Sequence, residues 1–244
     1  TVFENPVEVD IVPIKHINTD YAEYRPKLNA EENIMYFTSK RPGGSSDILD
    51  DQGEYYEDIY VSKKKMGVWT EPQLVNDLIN TTESSSCLYL SPDGEHMFLS
   101  MVNNDQKLGH LGRGIYEARL DGNHWNNPEF LDQKVNSKYW ETYASLDIYG
   151  NVLFFVSDRE GGYGGRDIWM IKKLPSGEWA EPQNLGEPIN TEYDEESPYL
   201  HPDGKTLYFS SKGHKVMGGF DIFKSILKDD YTWTSPENLS LIHI

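Results

Sequence analysis

The sequence has a single cysteine, Cys87, among 244 residues. An internal disulfide and a cysteine-based metal centre are therefore excluded. Its neighbours "SCLYL" read as a buried strand, so Cys87 is expected to act as a small hydrophobe rather than a nucleophile. Long apolar runs are also missing. Nothing approaches the ~20 residues that a membrane-crossing helix needs. No secretory leader is visible at Thr1, so any targeting segment is expected to lie outside this sequence. Positive charge is scarce: 22 Lys and Arg face 40 Asp and Glu, a formal net charge of −18. Such a surface repels phosphate backbones and anionic headgroups, which argues against nucleic acid as a partner. Cations and basic or neutral partners stay compatible with it, and the acids would also serve solubility alone. No long stretch repeats its apolar residues with the helical period.

Repetition is what the sequence does have. "INT" begins at Ile17, Ile79 and Ile189, and a looser "VNS" begins at Val135. Eleven residues after each start stands a leucine: Leu28, Leu90, Leu146 and Leu200. A turn follows in each unit: "NAEEN", "SPDGE", "DIYGN" and "HPDGK". A strand comes next ("IMYFTS", "HMFLS", "VLFFVS", "TLYFSS"), then a polar, often Gly-rich loop and a third strand ("EDIYVS", "RGIYEA", "RDIWMI", "FDIFKS"). Asp-Gly between alternating segments is a hairpin signal. Each unit closes on Trp-x-x-Pro, with Trp69, Trp125, Trp179 and Trp233, and the first three lie ten residues before the next start. The Trp-Pro segment is expected to form a fourth, outer strand, because proline is tolerated at a sheet edge.

Four-stranded, helix-free, Trp-rich units of this length predict an all-β fold, a β-propeller with four recognisable blades. The expected repeat units are 17–78, 79–134, 135–188 and 189–243 of a single domain, with 1–16 as an extra N-terminal closing or outer strand. "FENP" at Phe3 to Pro6 matches Trp-x-x-Pro with Phe in the Trp place. Ile244 falls fifty-five residues after Ile189, where a fifth start is due, so a longer parent chain is expected. The blades would then either close as four or join a five- or six-bladed ring.

The pattern "INT-x-YDE-x-SP-x-L-x-PDGK-x-LYFSS…GGxDI[YF]…W-x-x-P-x-NL" resembles the WD-repeat-like propeller repeats of the TolB kind. The version it is most similar to occurs in OmpA-family envelope proteins of Bacteroidetes, PorE-like components of type IX secretion and gliding. Ile189–Gly219, Asp221–Phe223 and Trp233–Leu239 match almost throughout, and the third unit matches at "SDREGGYGGRDIW" and "WAEPQNLGEPIN". The first unit lacks Asp-Gly and carries an insertion, and the second has Gly114 in place of the aspartate before its third strand. The resemblance implies a periplasmic, outer-membrane-associated module that binds a protein partner, with no membrane span of its own and no cofactor.

Six residues after each start lies Glu23, Ser85, Glu141 or Glu195, accompanied by Tyr21, Tyr139 and Tyr193. On a propeller these would share one face, as a ring of carboxylates and tyrosines near the channel mouth. Such a ring could hold a cation, or a sugar or peptide. Equally, each glutamate could accept backbone and hydroxyl hydrogen bonds as part of the scaffold. Whether a metal binds stays open. Asp58, Asp167 and Asp221 are expected to cap turns. The glycines at 43–44, 161–165 and 218–219 are expected to be hairpin residues with positive φ, since no helix follows to make a phosphate cradle. The tryptophans are expected to pack between blades. Catalysis finds little support: the seven histidines lack H-x-H and H-E-x-x-H spacing, and Gly-x-Ser-x-Gly is absent. Three stretches break the repeat: the acid-rich insertion around Ile48–Tyr56, the Asn103–Arg113 loop and His214–Met217. Recognition is expected on such loops, and the insertion is expected to project as a mobile loop. The reading is a non-enzymatic interaction module; a glycan-binding or glycan-cleaving propeller is the alternative.

Overall fold

A computed structural model describes residues 12–46, 48–107, 111–216 and 218–239. They are all-β, with no helix among them, and form four antiparallel sheets, each a propeller blade. Blade 1 holds β1 (Glu23–Leu28), β2 (Ile34–Ser39), β3 (Asp58–Lys65), β4 (Val68–Trp69) and β5 (Gln73–Leu74). Blade 2 holds β6 (Ser86–Leu90), β7 (His96–Asn103), β8 (Gly112–Asp121), β9 (His124–Trp125) and β10 (Glu129–Phe130). Blade 3 holds β11 (Glu141–Leu146), β12 (Val152–Ser157), β13 (Asp167–Lys172) and β14 (Gln183–Asn184). Blade 4 holds β15 (Glu195–Leu200), β16 (Thr206–Ser211), β17 (Asp221–Ile226) and β18 (Glu237–Asn238). The Phe3–Pro6 segment expected as an outer strand lies outside the described residues.

The first hairpin of each blade closes at the predicted leucine: Leu28 faces Met35, Leu90 faces Met97, Leu146 faces Leu153 and Leu200 faces Leu207. Gly94, Gly150 and Gly204 adopt positive φ in three of these turns. The first turn has no glycine there, and Glu32 takes the left-handed conformation at φ 53°. Every first strand carries a register shift, a β-bulge, and in three blades a non-glycine residue near it has positive φ: Arg25, Tyr143 and Ser197.

The expected outer strand is corrected in detail. The tryptophan folds back on the end of the third strand, as in Lys64↔Trp69, Leu120↔Trp125, Lys173↔Trp179 and Leu227↔Trp233. The outer strand is only the two residues after the proline, where N–H donors return. The second blade differs more than expected. Its presumed loop from Asn103 to Arg113 is partly strand, because β7 runs to Asn103 and β8 starts at Gly112.

The described residues divide into two compact units, 12–131 and 132–239, with two blades in each. Within the first, Ile34, Tyr36, Ile59 and Val61 of blade 1 pack on Met97, Leu99, Tyr116, Ala118 and Trp125 of blade 2. The Trp125 indole lies edge-on to Tyr36, centroids 5.7 Å apart, and donates to its Oη at 3.3 Å. Within the second, Phe154, Val156 and Ile168 of blade 3 pack on Leu207, Phe209, Phe223 and Trp233 of blade 4. In each unit, then, the trailing face of one blade is sealed by the leading face of the next. Buried asparagines pin the same joints. Asn80 accepts from the Ile59 N–H (2.7 Å) and donates to the carbonyls of Ile59 (2.9 Å) and Val75 (3.0 Å). Asn190 bonds the N–H and carbonyl of Ile168 in the same way, both at 2.9 Å.

Cys87 is buried in this core, and burial pushes its thiol up to about 12. Thiolate is the reactive form. The folded protein should therefore resist iodoacetamide at pH 8 and become fully alkylated on denaturation. Rapid alkylation of the native chain would contradict this placement.

The expectation for the loop glycines is corrected. Only Gly43 and Gly161 of the loop glycines have positive φ. Gly44, Gly162, Gly164 and Gly165 are needed for close approach. A Cβ at Gly44 would stand 1.9 Å from Asp58 Oδ2, and one at Gly162 2.1 Å from Asp167 Oδ2. These are the aspartates that cap the loops. Asp58 accepts from the Ser45 N–H and hydroxyl, and Asp167 accepts from the Tyr163 N–H. The insertion closes as a tight, exposed hairpin. Leu49 bridges Tyr55, and Asp50 Oδ1 accepts from the N–H groups of Gln52 (2.8 Å) and Glu54 (3.0 Å). Tyr55 lies edge-on to Tyr21 at 5.9 Å, and Lys40 pairs with Glu54.

Candidate functional site

The three repeated glutamates occupy the same internal position. Glu141 is buried and bridges the loop before β11 to the end of β12. Its carboxylate accepts from the Ser137 N–H (3.0 Å) and hydroxyl (2.5 Å), the Ser157 hydroxyl (2.9 Å) and the Arg159 guanidinium (3.0 Å). Arg159 also donates to the carbonyls of Lys134 and Val135 and lies over the rings of Phe155 and Trp169. Glu23 repeats this in blade 1 with Thr19, Ser39 and Arg41, whose guanidinium covers Phe37 and Tyr60.

Blade 4 keeps Glu195, Thr191 and Ser211, but Gly213 and His214 stand where the arginine would be. His214 lies edge-on to Phe209 and tilted against Phe223, and reaches the Ile189 carbonyl at 3.0 Å. With no arginine beside it, burial raises the Glu195 pKa above the usual carboxylate value. In blade 2 the unit is rebuilt as a whole. Ser85 replaces the glutamate and stands opposite Met101 rather than a serine, next to the register pair Ser86↔Ser100. Its Oγ is buried with no hydrogen-bond partner.

The tyrosines have different surroundings. Tyr21 and Tyr193 are about half exposed, and Tyr139 is half-buried under the Lys138 ammonium, 5.0 Å from its ring. Tyr21 and Glu23 lie in the first unit; the Glu141–Tyr139 and Glu195–Tyr193 pairs lie in the second.

Each unit also has a charged network that ties residues of the first strands to the loops and strand ends beside them, and it had no signature in the sequence. In the first, Arg113 pairs with Glu57 at 2.8 Å, and the Tyr24 hydroxyl donates to the same carboxylate at 2.5 Å. Burial, then the Glu57 charge, raises the Tyr24 pKa. In the second, Arg166 reaches Asp194 (3.1 Å) and Glu196 (2.5 Å), Lys212 joins Asp194 (2.9 Å), and Tyr143 donates to Glu196 (3.1 Å). The Arg166 hydrogen bond, helped by Lys212, holds Asp194 well below the usual carboxylate range. No group of three metal-ligating side chains is arranged around a common point among the described residues.

A cleft in the second unit has a volume of about 840 Å³. Its walls include Tyr163 from the blade 3 loop, Glu187 and Pro188 from the connection, Tyr193, and His214 and Lys215 from the repeat-breaking segment of blade 4. Both tyrosines are about half exposed, Tyr163 at 54% and Tyr193 at 52%. Of the residues singled out in the sequence, the cleft gathers Tyr193 and the His214 segment; Glu141 and Glu195 are not among its lining residues. An aromatic-edged, mixed-charge cleft of this size suits a peptide segment or a saccharide.

No protein-family model and no curated protein matches the chain. Solved structures do. TolB from Acinetobacter baumannii superposes with a TM-score of 0.59 at 14% identity, over 92% of this chain and 45% of that one. This chain therefore spans less than half the length of that protein. A TolB of Agrobacterium tumefaciens gives 0.52 at 14% identity, over 92% and 82%. An alpha-L-arabinofuranosidase from Lactobacillus brevis gives 0.52 at 12% identity, over 86% and 74%. The likeness is one of fold: these blades are built as TolB-like propeller blades are.

Proposed function

We propose that the four repeats act as one non-catalytic interaction domain that holds a protein partner in a bacterial cell envelope. The observation that carries this reading is the division of labour among the repeated residues. The glutamates that recur are spent on internal hydrogen bonds, whereas Tyr163, Tyr193 and the repeat-breaking His214 segment open on the cleft. Variable loops on a fixed scaffold are where recognition resides. The setting is periplasmic and outer-membrane associated. The repeat resemblance narrows it to OmpA-family assemblies such as the type IX secretion and gliding apparatus. Among the described residues no helix is long and apolar enough to cross a membrane.

A glycan-binding or glycan-cleaving propeller is the second reading, favoured by the tyrosine-edged cleft and by the arabinofuranosidase among the structural neighbours. A pull-down from an envelope extract, run beside a glycan array and a reducing-sugar assay, separates the two. Tyr163→Ala with Tyr193→Ala should cut protein capture at least about fivefold with an unchanged melting temperature, since exposed aromatics carry binding rather than stability. Saccharide binding or turnover by a chain that captures no protein would overturn the first reading in favour of the second.

A further inference from the structure

His214 stands in the place of an arginine. In blades 1 and 3 the guanidinium groups of Arg41 and Arg159 make the same three contacts. Each donates to the carbonyl of the residue that opens its repeat, Ile17 at 2.7 Å and Val135 at 2.6 Å. Each lies over two rings paired across the second and third strands, Phe37 with Tyr60 and Phe155 with Trp169. Each pairs with the recurring glutamate, Glu23 at 3.2 Å and Glu141 at 3.0 Å. His214 makes the first two contacts. Its Nε2–H donates to the Ile189 carbonyl at 3.0 Å, and its ring lies against Phe209 and Phe223, paired across the same two strands. The third contact is where blade 4 differs. Glu195 accepts from Thr191 and Ser211, and among the described residues no Lys or Arg pairs with it. Gly213, two residues after Ser211 as the arginines are after Ser39 and Ser157, cannot carry one. A Cβ there would stand 1.8 Å from Thr191 Oγ1. His214 is thus the group placed to supply the missing charge.

An arginine is charged at every physiological pH, whereas an imidazole gains its charge only as pH falls through about 6–7. We propose that His214 is a proton-operated counterpart of the arginine strut, which firms the wall of the cleft in mild acid and releases it in mild alkali. This rests on the reading of that cleft as the docking site, since Thr191, Gly213, His214 and Lys215 all line it. With His214 neutral, Glu195 is a buried carboxylate without an opposite charge, and burial raises its pKa. A carboxyl raised in this way weakens the fold while it is ionised. The penalty is lifted as pH falls, by a cation placed beside it or by its own protonation. The Glu23 and Glu141 struts carry no such dependence, because their cations are permanent. The other titratable groups on the elements around His214 are Glu187, Glu192, Tyr193 and Tyr163 of the cleft walls, Lys215 beside it, and Asp221 at the start of β17. Asp221 accepts from Asn238 at 2.9 Å, and Asp194 is held by Arg166 and Lys212.

The test compares amide hydrogen exchange of the 244-residue chain at pH 8 and pH 5.5, as protection factors so that the intrinsic pH dependence cancels. Two amides report the two kinds of strut in one molecule. The Thr191 N–H donates to Glu195 at 2.9 Å, and the Ser137 N–H donates to Glu141 at 3.0 Å. Thr191 protection should rise at least about fivefold from pH 8 to pH 5.5, whereas Ser137 protection should change less than about twofold. His214→Gln keeps a donor for the Ile189 carbonyl but cannot be charged, and it should flatten the Thr191 response. A response that survives His214→Gln would place the proton on another group and overturn the proposal. So would a response shared equally by Ser137, which would belong to the whole fold. Pull-downs from the envelope extract at the two pH values read the consequence for the cleft. A firmer wall is better organised for binding, so capture should be at least about threefold greater at pH 5.5, and His214→Gln should erase the difference. Capture indifferent to pH while Thr191 responds would overturn the control of the cleft. Capture at neither pH would count against the docking reading alone, and the Thr191 response would still support the strut.

Discussion

Glu141→Ala is expected to lower the melting temperature by roughly 10 °C at pH 7, measured by circular dichroism. Removing one partner of a buried ion pair costs about 3–5 kcal/mol, because the other charge is left without compensation. Arg159 is the group left behind. It is nearly as enclosed as its partner, and its remaining acceptors are the Ser157 hydroxyl oxygen, two backbone carbonyls and two rings. The Ser137 N–H and two hydroxyls lose their acceptor too. For a chain of this size each kcal/mol corresponds to ~2–4 °C. Ser85→Ala at the equivalent place in blade 2 provides the contrast. That hydroxyl is buried without a hydrogen-bond partner, so its loss should be neutral or slightly stabilising. A Glu141→Ala shift below about 2 °C would mean that the carboxylate is not the strut the geometry makes it.

This contrast shows where the sequence was readable and where it was not. The hairpins were legible because turn chemistry is local. Asp-Gly or Tyr-Gly sits where positive φ is required, and even the exception, Glu32, falls at the matching position. The glutamate's role was legible only as one of two alternatives, since its partners are distant in sequence. Ser39, Ser157 and Ser211 stand sixteen residues beyond their glutamates, on the adjacent strand. The signal that could have identified them is joint replacement. Where Ser85 takes the glutamate's place, Met101 takes the serine's. The loop glycines were assigned to turns by composition, but the distances that forbid a side chain at Gly44 and Gly162 come from folding the loop onto its own capping aspartate. The insertion, with few strand-forming residues and a central glycine, reads as a projecting loop; that Asp50 satisfies its backbone and closes it as a hairpin is visible only in the structure. The cleft had no signature of its own, because Tyr163 and Lys215 meet only when two blades pack.

The asparagine of "INT" joins one blade to the next, and its replacement gives the second large effect. Asn80→Leu keeps the volume and removes the amide. Asn80 is buried, and its Oδ1 is the acceptor for the Ile59 N–H, which opens a core strand of the preceding blade. The Ile59 carbonyl retains the Val75 N–H as donor, so the loss falls mainly on the buried N–H and on one Val75 carbonyl bond. Leaving a buried donor unsatisfied costs about 1–3 kcal/mol, and the displaced carbonyl bond adds to it. The melting temperature should fall by roughly 5–10 °C. Hydrogen exchange distinguishes this cause from a general loosening. The Ile59 amide should lose most of its protection, while Phe154 and Leu207, in the other unit, keep theirs relative to global stability. Protection lost evenly from both units would show that the asparagine acts on the whole fold rather than on the joint between blades 1 and 2. The same substitution at Asn190 should then reproduce the pattern in the second unit, with Ile168 as the exposed amide.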